Sequence, residues 1–345
     1  MPPALSPQSN MLARSTKLFA GHGRHIALTL NACLFIYVAY WLSDKVSYRN
    51  VLDQLRQTPV HAILVAMAMN AAVLTLYGLR LAAILQTKPL PCFLIANVGF
   101  TLNSLIPFRV GEAAKIYVGG AYFGFPLGSL GAAVVIEKLY DLLAVVALAL
   151  IVASTQSPFV DVPPSTPLAL ALILVPSILL LARFRPKTGV LRPSEWKILK
   201  STRLESFVRQ AETLLAHQSV PRAALCTALI WTMNVCLVLV LFRTIFPEID
   251  FGVLSAMTLL AIGALAIAVP ASPAGLGVFE AGIVAYLTTA HGVSAEKAIS
   301  AALAYHLSIT APHTAIAFAF LVAGFPRFFG KKPADSVRGR KASPR

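Results

Sequence analysis

The chain has 345 residues, of which 57% are hydrophobic and 12% charged, at a mean hydropathy of +0.74. A soluble domain carries about twice that charge fraction, so the composition excludes a soluble globular protein and predicts an all-α, polytopic membrane protein. The net charge of +15 is gathered in the N-terminus, one central loop and the C-terminal tail, a topology signal that fits anionic phospholipids at the cytoplasmic face and not nucleic acid.

Residues 1–25 form a basic N-terminus with Arg14, Lys17 and Arg24. The apolar run behind them ends in YWLSDKV with no small-residue cleavage site, which predicts an uncleaved first span. A span needs about 20 apolar residues. Six segments qualify, in chain order Ile26–Leu42, His61–Leu79, Leu127–Ala153, Leu168–Phe184, Ala223–Phe246 and Ser300–Phe325. Two apolar regions fit no simple span. Pro91–Pro107 runs into the charged stretch LIPFRVGEAAK, and Phe251–Val269 runs into PASPAGLGVFE and the short run Ala281–Ala290. That last run covers about 15 Å, half a bilayer. The cysteines, Cys33, Cys92, Cys226 and Cys236, lie in apolar stretches without CxxC spacing, so neither a metal, a cofactor nor a disulfide framework is expected.

Charge assigns the sides. Arg183–Arg222 holds nine Lys/Arg against three acids, and the tail after Phe325 holds seven against Asp335. Both are expected in the cytoplasm, as is the N-terminus. Ser154–Pro167 and Pro247–Asp250 carry no Lys or Arg and are expected outside. Six spans meet these constraints when each odd region enters and leaves on one face. The sequence therefore predicts about six full transmembrane helices plus two re-entrant hairpins.

The halves match in order as span, hairpin, span. Residues 61–153 form the first and 221–325 an inverted second. Between them 185–220 is a cytoplasmic amphipathic linker, in which Trp196 with Arg192, Lys197 and Lys200 reads as a surface helix. The whole transmembrane domain covers 26–325, and 326–345 is a disordered basic tail. Inverted repeats with broken helices are a transporter pattern, with the site near the midplane.

The chemistry concentrates at the hairpins. Pro107 and Gly111 break the helix. Arg109 and Glu112, then Glu112 and Lys115, stand three apart, one helical face. A helix starting after Pro107 would aim free N–H groups at an anion. Glu137, Lys138 and Asp141 lie inside an apolar run, where each charge costs roughly 2.5–3.5 kcal/mol. Lys138 and Asp141 are spaced to pair within the helix, leaving Glu137 for Arg109 or Lys115. In the second half Glu280 stands at the hairpin tip, and His306 shares a face with Thr310 and His313. A purely structural reading stands beside the functional one, since intramembrane ion pairs also lock helices. Asn70 and Asn234 read as interhelical donors, Arg80 and Lys88 as interfacial snorkelling residues, and His313 as a packing histidine.

LNSLIPFRVGEAAK, VVIEKLYDLLAV and VPASPAGLGVFEAG with AYHL after it resemble, in order and spacing, the transmembrane region of the lysylphosphatidylglycerol synthase family, also called flippase-like. The resemblance spans about Leu30 to Phe325 and implies translocation of a lipid or lipid-linked substrate in the inner membrane. Its motif positions fall on Asn103, Pro107, Arg109, Gly111 and Glu112; on Glu137, Lys138 and Asp141; and on Pro273, Gly275, Gly277 and Glu280. Lys138 stands where Arg is usual. His306 stands where many members carry Arg after Tyr, so the site loses a permanent charge. No aminoacyl-transfer domain accompanies the motifs.

The expected function is flipping of a lipid, hopanoid- or phospholipid-related, with both termini cytoplasmic and no catalytic residue. A homodimer or a lipid-biosynthesis enzyme is the expected partner. Two alternatives remain open: a membrane enzyme of lipid-linked glycosyl transfer, and a non-transporting scaffold of a lipid-synthesis complex.

Overall fold

A computed structural model describes residues 48–106, 109–155, 209–211, 213–214, 219–268 and 275–329. The expected spans Ile26–Leu42 and Leu168–Phe184, most of the central linker, and Pro107 and Pro273 lie outside the described residues. Among the described residues the chain is helical, without strands.

In chain order the helices are α1 Tyr48–Gln57, α2 Val60–Leu85, α3 Pro89–Leu105, α4 Gly111–Phe123, α5 Leu127–Ser154, α6 Ser219–Ile245, α7 Val253–Ala268, α8 Val278–His291 and α9 Ala295–Phe329. Three are long and apolar enough to cross a membrane: α2, Val220–Ile245 of α6, and Ala295–Val322 of α9. The 28-residue α5 is long enough too, and its apolar face is interrupted only by Glu137, Lys138 and Asp141. The helices α3, α4, α7 and α8 have 17, 13, 16 and 14 residues, shorter than the 20 or so that a span needs.

Prolines and glycines set the boundaries. Pro59, Pro89 and Pro126 start α2, α3 and α5, where a missing N–H costs nothing. Left-handed Gly124 and Gly292 end α4 and α8.

α3 and α4 form a hairpin, and α7 and α8 form a second. At the mouth of the first, a Cβ added at Gly111 would overlap the Gly99 carbonyl oxygen and lie 2.6 Å from Asn103 Cγ. Further down, Gly119 sits against Ile95. In the second hairpin Gly275 meets Ile267, Gly263 meets Phe279 and Gly282 meets Ile262. Both pairs are therefore antiparallel, and small residues let their backbones approach.

The packing has an internal symmetry. Exchanging α2, α3, α4 and α5 for α6, α7, α8 and α9 maps each of the more extensive helix pairings between these eight onto an observed pairing. For example, α9 on α3 becomes α5 on α7, and α4 on α5 becomes α8 on α9. The pairing of α2 with α6, the most extensive, maps onto itself. Arg80 near the end of α2 meets Thr227 near the start of α6, so these two run antiparallel. Two apolar cores are centred one on each half, the first around Ile95, Ala133 and Ile136, the second around Phe242, Leu259 and Ile283, and the second also takes in Ala62, Ala66 and Leu148.

Candidate functional site

The buried charges of the first half form one chain of ion pairs. Arg80 from α2 grips Asp141 of α5 with both terminal nitrogens, Nη1–Oδ1 at 2.7 Å and Nη2–Oδ2 at 3.1 Å. Its Nη2 also stands 3.6 Å from Glu137 Oε1. Glu137 Oε2 meets Lys115 Nζ of α4 at 3.4 Å, and Lys115 meets Glu112 at 3.5 Å. Glu112 Oε1 meets Lys138 Nζ at 2.8 Å. Three cations and three anions thus alternate from Asp141 to Lys138, and the chain closes without net charge. Arg80, Glu137 and Lys115 are 1–2% exposed, whereas the Lys138 side chain is 41% exposed. The middle of the chain is sealed, and its two ends, Asp141 and Lys138, reach the cavity. Pairing is the condition for burying such charges, because a lone one in a low-dielectric interior is strongly unfavourable.

Several pairings differ from the sequence expectation. Arg80 does not snorkel: α2 continues through LAAIL to Leu85, which carries Arg80 inside the bundle. Lys138 reaches Glu112, and Asp141 reaches Arg80, so the expected pair within α5 does not form. Of the two candidates for Glu137, Lys115 is the partner. Asn70 donates to the Ile309 carbonyl of α9 at 2.8 Å, between helices as expected. Asn234 donates to Ile230 within its own helix instead. His313 packs as expected, buried against the hydroxyls of Thr101 and Ser104.

A cavity of about 460 Å³ opens between the two halves. The first half contributes Asn70 and Tyr77 from α2, Asn103 from α3, Arg109 from the hairpin tip, and Lys138 and Asp141 from α5. The second contributes Trp231 and Asn234, Gly275 and Phe279 of the other hairpin, and His306 and His313 of α9. Phe100, Leu142, Val145 and Leu260 make the remaining wall apolar. Tyr77 and Phe100 meet edge to face at 4.9 Å, with Arg80 over the Tyr77 ring and Lys115 over the Phe100 ring, each also at 4.9 Å. The Trp231 indole N–H is buried without a partner among the described residues.

The two tips are tied differently. Asn103 accepts from the Gly111 N–H at 2.7 Å and donates to Glu112 at 3.5 Å. Arg109 is exposed, lies in the left-handed region at φ 53, and has no ion pair among the described residues. Such a conformation is unusual for a side chain without the freedom of glycine. At the second tip Gly277 has φ 88, and its N–H donates to Glu280 Oε2 at 2.7 Å. The other oxygen of Glu280 meets His306 Nδ1 at 2.5 Å. Glu280 stands behind the wall, and His306 stands in it.

Of the residues the sequence singled out, Asn103, Arg109, Lys138, Asp141, Gly275 and His306 line the cavity. Glu112, Lys115 and Glu137 hold its charged wall. Gly111, Gly277 and Glu280 shape the tips. Tyr77 and Trp231 were missed, and Arg80 was read as marking a boundary. The apolar residues after Arg80 were the available signal, since a helix does not end five residues before its last apolar turn. Among the described residues no three of His, Cys, Asp and Glu cluster to hold a metal.

Long apolar helices, two short hairpins meeting at a central cavity, and charges balanced at depth define a polytopic integral membrane protein with a site between two like halves. The chain belongs to the lysylphosphatidylglycerol synthase TM region family, whose model matches residues 26–317. It is also 25% identical over 242 residues to glycosyltransferase AglD of Haloferax volcanii, a match that covers 60% of this chain and 39% of that protein. The chain therefore spans well under half the length of that relative.

Proposed function

We propose that this protein moves a lipid or lipid-linked substrate across the inner membrane, with the head group passing through the cavity between the halves. The observation that carries the reading is the composition of that cavity. Both hairpin tips reach it, one wall holds Arg109, Lys138 and Asp141, and much of the rest is apolar. Such a surface suits an amphipathic molecule. Arg109, with no ion pair among the described residues, meets an anionic group on the head. Lys115, fully enclosed by Glu112 and Glu137, holds the wall together and does not touch the substrate. The short hairpins enter from opposite faces, both termini are cytoplasmic, and alternating access comes from one half rocking on the other.

The test is reconstitution in vesicles with fluorescently labelled phosphatidylglycerol, read by chemical quenching of the outer leaflet. The protein should equilibrate the leaflets, and Arg109→Ala and Glu112→Gln should each slow it at least tenfold. Exchange no faster than in empty vesicles overturns the reading.

The name of the Haloferax volcanii relative, a glycosyltransferase, favours a second reading in which this chain transfers a glycosyl group, here to a lipid carrier. Transfer of labelled sugar from a nucleotide sugar to a polyprenyl phosphate by the purified protein would establish it.

A further inference from the structure

Two sets of charges flank the cavity, and they differ in kind. Glu112, Glu137 and Asp141 each have a Lys or Arg within 3.6 Å, so their charge is balanced without any added proton. Glu280 has no such partner among the described residues. Its partner is an imidazole, the one side chain whose ordinary charge changes between about pH 5 and 8. The pair therefore holds one net negative charge or none, according to whether a proton is bound.

From this geometry we infer that Glu280 and His306 form a proton-binding site in the second half, and that one proton accompanies each passage of substrate. The inference rests on the translocation reading above and supplies its energy source. His306 connects the pair to the cavity. Its Nδ1 is taken by Glu280, its ring lines the wall, and Nε2 has no hydrogen bond among the described residues. Glu280 connects the pair to the hairpin. The same carboxylate that would share the proton accepts the Gly277 N–H at 2.7 Å and fastens the start of α8. A hydrogen bond to a charged acceptor is roughly twice as strong as one to a neutral acceptor. Proton occupancy thus changes how firmly the tip is held, and the tip carries Gly275 into the cavity. That is a local charge change acting on the anchor at the start of α8, the ordinary form of a coupled switch.

No other charged side chain among the described residues pairs with Glu280 or His306. α7 presents no ionisable side chain. Phe279 of α8 packs edge-on to the imidazole at 5.0 Å. α2 offers Tyr77, α5 offers Lys138 and Asp141 with their own partners, and the first tip offers Arg109. On α9 itself stand Tyr305 and His313. α6 offers Arg222, Cys226, Cys236 and Arg243, with Arg243 turned to the Phe251 carbonyl. α1 adds Arg49, Asp53 and Arg56 beside the start of α9, where Ser300 meets the Val51 carbonyl. His313 is held by neutral hydroxyls, which provide no charge to compensate a proton.

Vesicles carrying labelled phosphatidylglycerol and an imposed difference of one pH unit test this. A passive exchanger leaves the label evenly distributed. Coupling to one proton drives a steady asymmetry of up to about tenfold, since a tenfold ratio corresponds to 1.4 kcal/mol. The wild type should build the asymmetry, His61→Gln, at an exposed position near the start of α2 and outside the cavity, should keep it, and Glu280→Gln and His306→Gln should lose it. Even distribution in an exchanging wild type overturns the inference, as does asymmetry that survives in both variants. Infrared titration of the detergent-solubilised protein gives a readout free of transport. A carboxyl or imidazole band that appears on acidification should be missing from both variants. If the label does not exchange at all, the translocation reading fails, while the presence or absence of that band still decides the proton site.

Discussion

Arg80 shows how one side chain can organise a membrane interior. Its guanidinium meets Asp141 through two nitrogens and reaches Glu137 and Thr227 besides. Replacing it with Ala leaves Asp141 without its partner and Glu137 with Lys115 alone. Breaking a buried pair from one side costs about 3–5 kcal/mol, so Arg80→Ala should lower the melting temperature in detergent sharply. Arg80→Lys keeps the charge without the fork and should fall between. Asn70→Ala removes a single interhelical hydrogen bond and should cost no more than about 1.7 kcal/mol. The charged residue types and their depth were legible in the sequence, because charges inside apolar runs are conspicuous. Their pairing was legible only in part: Lys115 was one of two candidates for Glu137 and is its partner. Spacing within one helix proposed Lys138 with Asp141, whereas packing of α2 and α4 on α5 supplied stronger partners to each.

Among the elements, the first hairpin depends on the closest backbone approach. Gly111 starts α4 directly against the Gly99 carbonyl and the Asn103 side chain. Gly111→Ala has no flexible neighbour to displace on the backbone side, so the folded yield after detergent extraction should collapse. Gly292 is the useful contrast. It has φ 63 and open space around it, so Gly292→Ala should cost only backbone strain, roughly 1–2 kcal/mol. Size-exclusion melting curves separate the two outcomes. The helix breakers made both hairpins legible, since Pro and Gly interrupt an apolar pattern at matching places. The end of α2 was harder to read, because a charge that is buried looks in sequence like a charge that marks a boundary.

For the whole molecule, the pairing of helices repeats under exchange of the halves, and α2 and α6 cross antiparallel at the centre. An inverted arrangement in the membrane follows as a prediction. Cysteines placed at Gly124 and Gly292, both exposed beyond the hairpins, should be labelled from opposite sides by a membrane-impermeant maleimide. Position 292 should react in intact cells, and position 124 only in inverted vesicles. Labelling of both from one side would overturn the inverted topology. Element order and the match between halves were visible in the sequence through hydrophobic length and charge bias. The cavity was not, because it is made by residues from seven helices whose convergence no local pattern records.

The chain of ion pairs also has a consequence for how the protein is made. On its own α5 would enter the bilayer with three charges, at roughly 2.5–3.5 kcal/mol apiece. Arg80 and Lys115 precede it in the polypeptide, so both counterions are already synthesised when α5 leaves the ribosome. Arg80 lies five residues from the end of α2, close enough to hold its head in the interface while it waits. Snorkelling, absent from the finished fold, then describes a moment in its assembly, and the order of the genes' codons becomes part of the electrostatics.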